Sequence, residues 1–214
     1  MRIATILVTR GKSCHVKTLH TILRFNLKCM QRGNTENEVV FVDDEPFEKA
    51  EIIYKYLKSH DRIFFIDFGI SVDEGSLDKV FDKNDGIGCL VFPGVTEGID
   101  WNMFKEKVVS KSKEPVEQIG LHFDTVVANK ISDDIYSVNE TSAKSWVMMN
   151  KNVMKHLKDK KNGAFKIHPR MKNMFLKLKE AGIKIHAYTE AKLTMTYSHE
   201  CISNILNAAG VKSN

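Results

Sequence analysis

Arg62-Ile63-Phe64-Phe65-Ile66-Asp67-Phe68-Gly69-Ile70-Ser71, followed by a helix opening at Asp73-Glu74-Gly75-Ser76-Leu77, is the stretch that decides the fold. A short apolar run that stops on a carboxylate reads as a buried strand with its charge at the carboxyl edge of a sheet. Open α/β folds bind their ligands at that edge. Asp67 is therefore a candidate ligand-binding residue before any other position is considered.

Strand and helix periods alternate on both sides of this stretch. Upstream, Ile3 to Val8 has the length of a buried strand, and Val39 to Val42 is a second one ending on Asp43-Asp44. Between them, Val16, Leu19, Leu23, Leu27 and Met30 follow helical spacing from about Ser13 to Met30. Pro46 suits the first position of a helix running to about Ser59. Downstream, Ser76 to Phe81 lies on a short helix, and Asp85-Gly86-Ile87-Gly88 turns the chain into the strand Cys89 to Phe92. This order predicts an α/β fold with a mostly parallel sheet and right-handed crossovers.

The second half is less regular. Leu121 to Ala128, Ile135 to Val138, Ser145 to Met149, Ile183 to Ala187 and Leu193 to Thr196 read as strands. Asn152 to Lys158, Pro169 to Ala181 and His199 to Ala208 read as helices. No repeat, low-complexity tract or linker divides the chain, so one domain over residues 1–214 is expected.

The composition, with 43% apolar and 28% charged residues, is that of a globular protein. A net charge of +5 is a mild bias, and no cluster of basic residues with interleaved aromatics marks a nucleic-acid binder. Cys14, Cys29, Cys89 and Cys201 lie far apart with no CxxC pair, the pattern of reduced thiols in an intracellular protein. The apolar amino terminus is too short for a signal sequence or a membrane span, so a cytoplasmic location is expected.

Each chemical motif competes with a plainer reading. Thr9-Arg10-Gly11-Lys12-Ser13 stands where α/β folds bind phosphate, but a P-loop needs glycine where Ile6 stands. Thr9 and Arg10 can still hydrogen-bond a base, ribose or phosphate; a helix cap at Ser13 with exposed cations serves equally well. Asp43-Asp44-Glu45 repel one another unless a cation or nucleoside donors offset them, or unless they open the helix at Pro46. Asp67-Phe68-Gly69 spells the kinase magnesium tripeptide without the segments that accompany it in kinases. As a ligand, Asp67 suits a hard cation, Mg2+ or Mn2+. Asp73 and Glu74 read as helix caps. His199 opens a helix after a strand, where a late ligand returns to the sheet edge. Asp124, on an apolar stretch, is either a buried hydrogen-bonded group or an acid on the acceptor side. Trp101 and Trp146 can stack on a sugar or pack in the core.

Taken together, Ile6 to Gly11, Val42-Asp43-Asp44 and Phe64 to Ile70 with Leu77 resemble a GT-A-type glycosyltransferase. Asp100 to Phe104, Phe123-Asp124-Thr125 and Lys144 to Met149 are similar to glycosyltransferases encoded by large DNA viruses of algae, the chlorella viruses, which add sugars to capsid glycoproteins. The resemblance implies a single GT-A, Rossmann-like domain with a nucleotide-binding half at about 1–92 and an acceptor and catalytic half at about 93–214. It implies a hexosyltransferase moving a sugar from a UDP-linked donor to a glycan or glycoprotein hydroxyl, in the host cytoplasm if the source is viral. Thr9, Arg10, Asp43 and Asp44 would contact the nucleoside. Asp67 and His199 would hold Mn2+ or Mg2+ at the diphosphate, although Gly69 replaces the second Asp of the DxD motif. Asp124 and Glu190 are the candidate catalytic bases. Two other readings stay open: a non-catalytic nucleotide-sugar or glycan-binding domain of the same fold, and a Rossmann-like enzyme acting on small phosphorylated substrates.

Overall fold

A computed structural model describes residues 1–83, 86–96, 98–115, 118–158 and 166–196. The first three strands are β1 (Arg2–Thr9), β2 (Glu36–Asp43) and β3 (Arg62–Ile66), joined by helices α1 (Val16–Gln31) and α2 (Pro46–Ser59). A short strand β4 (Ile70–Val72) and helix α3 (Glu74–Asp78) lead to β5 (Cys89–Phe92) and α4 (Trp101–Val109). The second half contributes β6 (Thr125–Ser132), β7 (Ile135–Thr141), β8 (Ser145–Met149), α5 (Asn150–Lys158), α6 (Met171–Glu180), β9 (Ile185–Tyr188) and β10 (Leu193–Met195). Eight strands form one sheet in the order β2-β1-β3-β8-β5-β9-β7-β6, while β10 pairs with β4 in a separate ribbon. The pairings give six of the eight strands one direction, with β8 and β7 opposed to them. The sheet is thus mostly parallel and flanked by helices, as the alternating periods predict.

Side chains that alternate along each strand supply two cores. On one face Ile3, Leu7, Phe64, Ile66, Leu90, Phe92 and Val147 pack with Phe25 of α1 and Leu77 of α3. On the other, Ile6, Val8, Phe65, Val91, Trp146 and Met148 pack with Ile53 of α2, Val153 of α5 and Phe175 of α6. Burial on both faces explains why β1, β3 and β5 read as continuous apolar runs. Trp146 belongs to this core and not to a sugar site. Its ring stacks on Phe65 at 4.8 Å and meets Phe175 edge-on at 5.9 Å.

Several sequence expectations need correcting. Leu121 to Asp124 is not strand; β6 begins at Thr125. The strand β4 and the helix α4 were not anticipated, because the first is three residues long and the second buries none of its side chains. The α1 cap is His15, whose ring accepts the Lys17 N–H at 3.4 Å, rather than Ser13. The helix predicted at His199 to Ala208 lies outside the described residues.

The helical spacing of Val16, Leu19, Leu23, Leu27 and Met30 holds, but it marks the outer face of α1. Its buried residues are Thr18, Thr21, Ile22, Phe25 and Cys29, whereas Val16, Leu19, Leu23, Leu27 and Met30 are exposed. Threonine explains this orientation, because Thr21 is a buried joint. Its hydroxyl accepts the Val72 N–H at 3.0 Å and lies 3.2 Å from the Val72 carbonyl, which fixes β4 against α1. Thr21→Val keeps the shape but leaves that N–H unpaired, and should cost about 1–3 kcal/mol. Urea unfolding of Thr21→Val beside Thr21→Ser checks this: the serine variant, which keeps the hydroxyl, should retain most of the stability.

Candidate functional site at the carboxyl edge of the sheet

Parallel strands bring their carboxyl ends to one edge, and the register fixes which residues meet there. Thr9 lies opposite Asp43 as β1 and β2 end together. The Thr9 hydroxyl, buried, lies 3.1 Å from both the Val42 carbonyl and an Asp43 carboxylate oxygen. The next four residues form a closed turn. The Arg10 N–H donates to the Ser13 carbonyl at 3.2 Å and the Ser13 N–H returns to Arg10 at 3.1 Å, with Gly11 and Lys12 at positive φ. A turn closed on its own backbone has no row of N–H groups to wrap a triphosphate, which removes the P-loop reading on structural grounds.

The three consecutive acids find separate partners. Glu45 caps α2 by accepting the Glu48 N–H at 2.8 Å. Asp44 accepts Arg10 Nε at 2.8 Å and Lys49 Nζ at 2.5 Å. Burial works to raise the Asp44 pKa, but the hydrogen bonds and charges of Lys49 and Arg10 outweigh it and hold the carboxyl below its usual range. Arg10 also lies over the Phe68 ring at 4.8 Å, so the turn after β1 is held to the loop after β3. Thr9, Arg10, Gly11, Asp43, Asp44 and Glu45 line an open cleft of about 290 Å³.

Asp67 follows β3 at the same edge. One of its oxygens accepts the Phe68 N–H at 2.9 Å, and its own N–H donates to the Lys144 carbonyl at 2.8 Å. Burial pushes its carboxyl above the usual range; the ammonium groups of Lys49 and Lys144 pull the other way, and Asp44 adds to the rise. Lys144 arrives from the opposite direction. It precedes β8, whose first residue Ser145 pairs with Ile66 of β3 on one side and Phe92 of β5 on the other.

The same Lys144 reaches Asp124, which sits beyond the end of β5. Asp124 and Gly94 exchange two hydrogen bonds: the Asp124 N–H to the Gly94 carbonyl at 2.9 Å, and the Gly94 N–H to Asp124 Oδ1 at 3.1 Å. The Thr125 hydroxyl adds a third bond at 2.8 Å. Burial raises the Asp124 carboxyl as well, against the Gly94 N–H, the Thr125 hydroxyl and Lys144. Its Oδ2 is buried and makes no hydrogen bond among the described residues. Glu190 is exposed two residues past the end of β9, and His199 lies outside the described residues.

The edge therefore gathers Thr9, Arg10, Asp43, Asp44 and Asp67, and Lys144 links Asp67 to Asp124. Two participants escaped the sequence reading. Lys49 is buried on α2, and its spacing to Ile53 and Tyr56 on the apolar face was a readable signal. Lys144 could not be found that way, because its place depends on β8 inserting antiparallel between β3 and β5.

Gly69 has a structural reason to be glycine. It has φ +73°, and a Cβ there would lie 2.6 Å from the Thr196 carbonyl oxygen. The chain itself makes the close approach: the Thr196 N–H donates to the Gly69 carbonyl at 2.9 Å as β10 runs beside β4. Among the described residues no three His, Cys, Asp or Glu side chains come together as a metal site. Asp67 offers a carboxylate there, with the Lys49 and Lys144 ammonium groups and the Asp44 carboxylate as its charged neighbours. The donor set of the described residues thus does not by itself fit a divalent ion.

No known protein family and no curated protein matches the chain. Solved structures do. A197 from STIV matches with a TM-score of 0.53 at 12% identity, over 92% of this chain and 87% of that one. A Drosophila β1,4-galactosyltransferase 7, solved with manganese, UDP-Gal and xylobiose, gives 0.44 at 12% identity over 95% and 72%. The inositol-1-phosphate CTP transferase from T. maritima gives 0.45 at 10% identity over 98% of each chain. The likeness to A197 is one of fold; the two scores below 0.5 carry no argument about this chain.

Proposed function

We propose that this chain is a GT-A-type glycosyltransferase, a single domain that moves a hexose from a UDP-linked donor to a hydroxyl of a glycan or glycoprotein. The observation that carries the reading is the convergence of Thr9–Arg10, Asp43–Asp44 and Asp67 at one sheet edge with the buried Lys49 and the half-buried Lys144. In this reading the cleft beside Thr9 and Asp43 takes the nucleoside, where carboxylates accept ribose and base donors. The diphosphate lies toward Asp67, and Lys49 and Lys144 offset the charge that develops on the leaving group. Mn2+ or Mg2+, where His199 or the substrate completes a set with Asp67, would supply Lewis-acid stabilisation of the same leaving group. Asp124 and Glu190 are the proposed bases on the acceptor side, and Trp101, exposed at the start of α4, is available to stack on a sugar.

A thermal shift series with UDP, UDP-glucose, GDP, ATP and pyrophosphate, each with and without Mn2+, tests this. A ligand at a hundredfold excess over its Kd stabilises by about 2.7 kcal/mol, which for a chain of this size is several degrees. The expected result is a rise with UDP and UDP-glucose that shrinks in Asp44→Ala. A response to pyrophosphate equal to that for UDP would favour the small-phosphate enzyme, and no response to any nucleotide would refute the donor site. Release of UDP from UDP-glucose then separates an enzyme from a binding domain of the same fold.

A further inference from the structure

The outward face of α1 serves neither core. Val16, Leu19, Leu23, Leu27 and Met30 recur every three or four residues along the whole helix, and all are between 40% and 76% exposed. Phe41, also exposed, stands on the edge strand β2. It alternates with Val40 and Val42 and so shares the sheet face that α1 covers. The surroundings of this stripe carry one sign of charge. Residues 1–35 contain no Asp or Glu, and Lys17 and Arg24 stand exposed beside the stripe with His20. The acids that approach α1, Glu74 and Asp78 of α3, are engaged at its far end: Asp78 by Lys28 at 3.0 Å and Arg32 at 3.5 Å, Glu74 by Lys28 at 3.8 Å.

We propose that this face of α1 docks the protein peripherally on a membrane surface containing anionic lipid. An amphipathic helix with an apolar stripe bordered by Lys and Arg is the form that lies in the plane of a lipid interface, apolar side chains among the acyl chains and cations at the headgroups. A second copy of this chain is a poorer occupant, because two such faces laid together oppose Lys17 and Arg24 with no acid from either helix. A protein knob is also less well served. Two apolar clefts of the molecule lie elsewhere, one against α6 and β7 and one between α2 and residues 166–169, and neither is lined by α1. No helix among the described residues is long and apolar enough to cross a membrane, so the attachment is to the surface. Because α1 starts six residues after Arg10, docking would hold the carboxyl edge of the sheet close to the lipid.

Sedimentation with vesicles tests the inference without any donor nucleotide. Vesicles of pure phosphatidylcholine are compared with vesicles containing 30% phosphatidylserine (roughly the anionic share of a charged leaflet), at low and at high salt. The full chain should sediment with the anionic vesicles at low salt and be released at high salt. Lys17→Glu/Arg24→Glu should weaken binding by at least about thirtyfold, from about fivefold for each cation removed and more for the reversal of charge. Leu23→Ser/Leu27→Ser should abolish binding while leaving the thermal midpoint and any UDP response unchanged, since both side chains are already exposed. Binding that survives both variants, or no binding to either vesicle, overturns the proposal. So does a dimer in sedimentation velocity that Leu23→Ser/Leu27→Ser converts to monomer, which would assign the stripe to a second copy.

Discussion

Gly69→Asp, the substitution that writes a DxD motif into this chain, should lower the thermal midpoint by about 10 °C and give no gain in Mn2+ response. Three costs add at that position. A non-glycine residue at φ +73° carries backbone strain on the order of 1–3 kcal/mol. The new Cβ would stand 2.6 Å from the Thr196 carbonyl oxygen, so β10 must move away from β4. That movement breaks the bond from the Thr196 N–H to the Gly69 carbonyl and disturbs the pairing of Met195 with Ile70. A total of about 3–5 kcal/mol is in the range of severe single substitutions, and each kcal/mol moves the midpoint of a chain this size by about 2–4 °C. Gly69→Ala should share most of the loss, because the Cβ and not the charge is the cause. If Gly69→Asp melts like the parent and Mn2+ then raises its midpoint, residue 69 faces the ligand and the structural account of this glycine is wrong.

The same glycine shows where sequence reading reaches and where it stops. Asp67 at a strand end, Pro46 opening α2 and Asp43-Asp44 closing a strand are local facts. An apolar run, a proline and the end of a strand are written in consecutive residues, and the boundaries of β3, α2 and β5 follow from them. Gly69 reads in the sequence only as the residue that replaces the second Asp of a DxD motif, because its actual neighbour, Thr196, is 127 positions away. Lys144 is hidden for the same reason: an antiparallel strand inserted among parallel ones leaves no trace in hydrophobic periodicity. The α1 face was obscured by chemistry and not by distance. Two threonines that bury methyl groups, one of them bonded to the β4 backbone, do not register as apolar, whereas five exposed aliphatic side chains do. An apolar helical stripe on the outside of the fold is the residue pattern that a lipid-facing role requires.

Asp67→Asn should make the protein more stable at neutral pH and remove its response to UDP. The amide keeps the oxygen that accepts the Phe68 N–H at 2.9 Å but carries no charge. Burial dominates the environment of this carboxyl and, with the Asp44 carboxylate, raises its pKa despite the Lys49 and Lys144 ammonium groups. A raised pKa means that the folded chain holds the proton more tightly than the unfolded chain, so stability falls as pH climbs from the ordinary carboxylate value through the raised one. Above that interval the parent carries the whole penalty; below about pH 4 the carboxyl is protonated in both states and the penalty is gone. The midpoint of Asp67→Asn should therefore exceed the parent's at pH 7–8, and the two melting curves should converge on acidification. UDP release from UDP-glucose should drop by about a hundredfold or more, the loss typical when a charged group at a reacting centre is removed. A variant less stable than the parent at neutral pH would instead make Asp67 an ion-pair anchor for Lys49 and Lys144. A residue that costs stability where it stands, and whose removal silences the site, is kept for its chemistry.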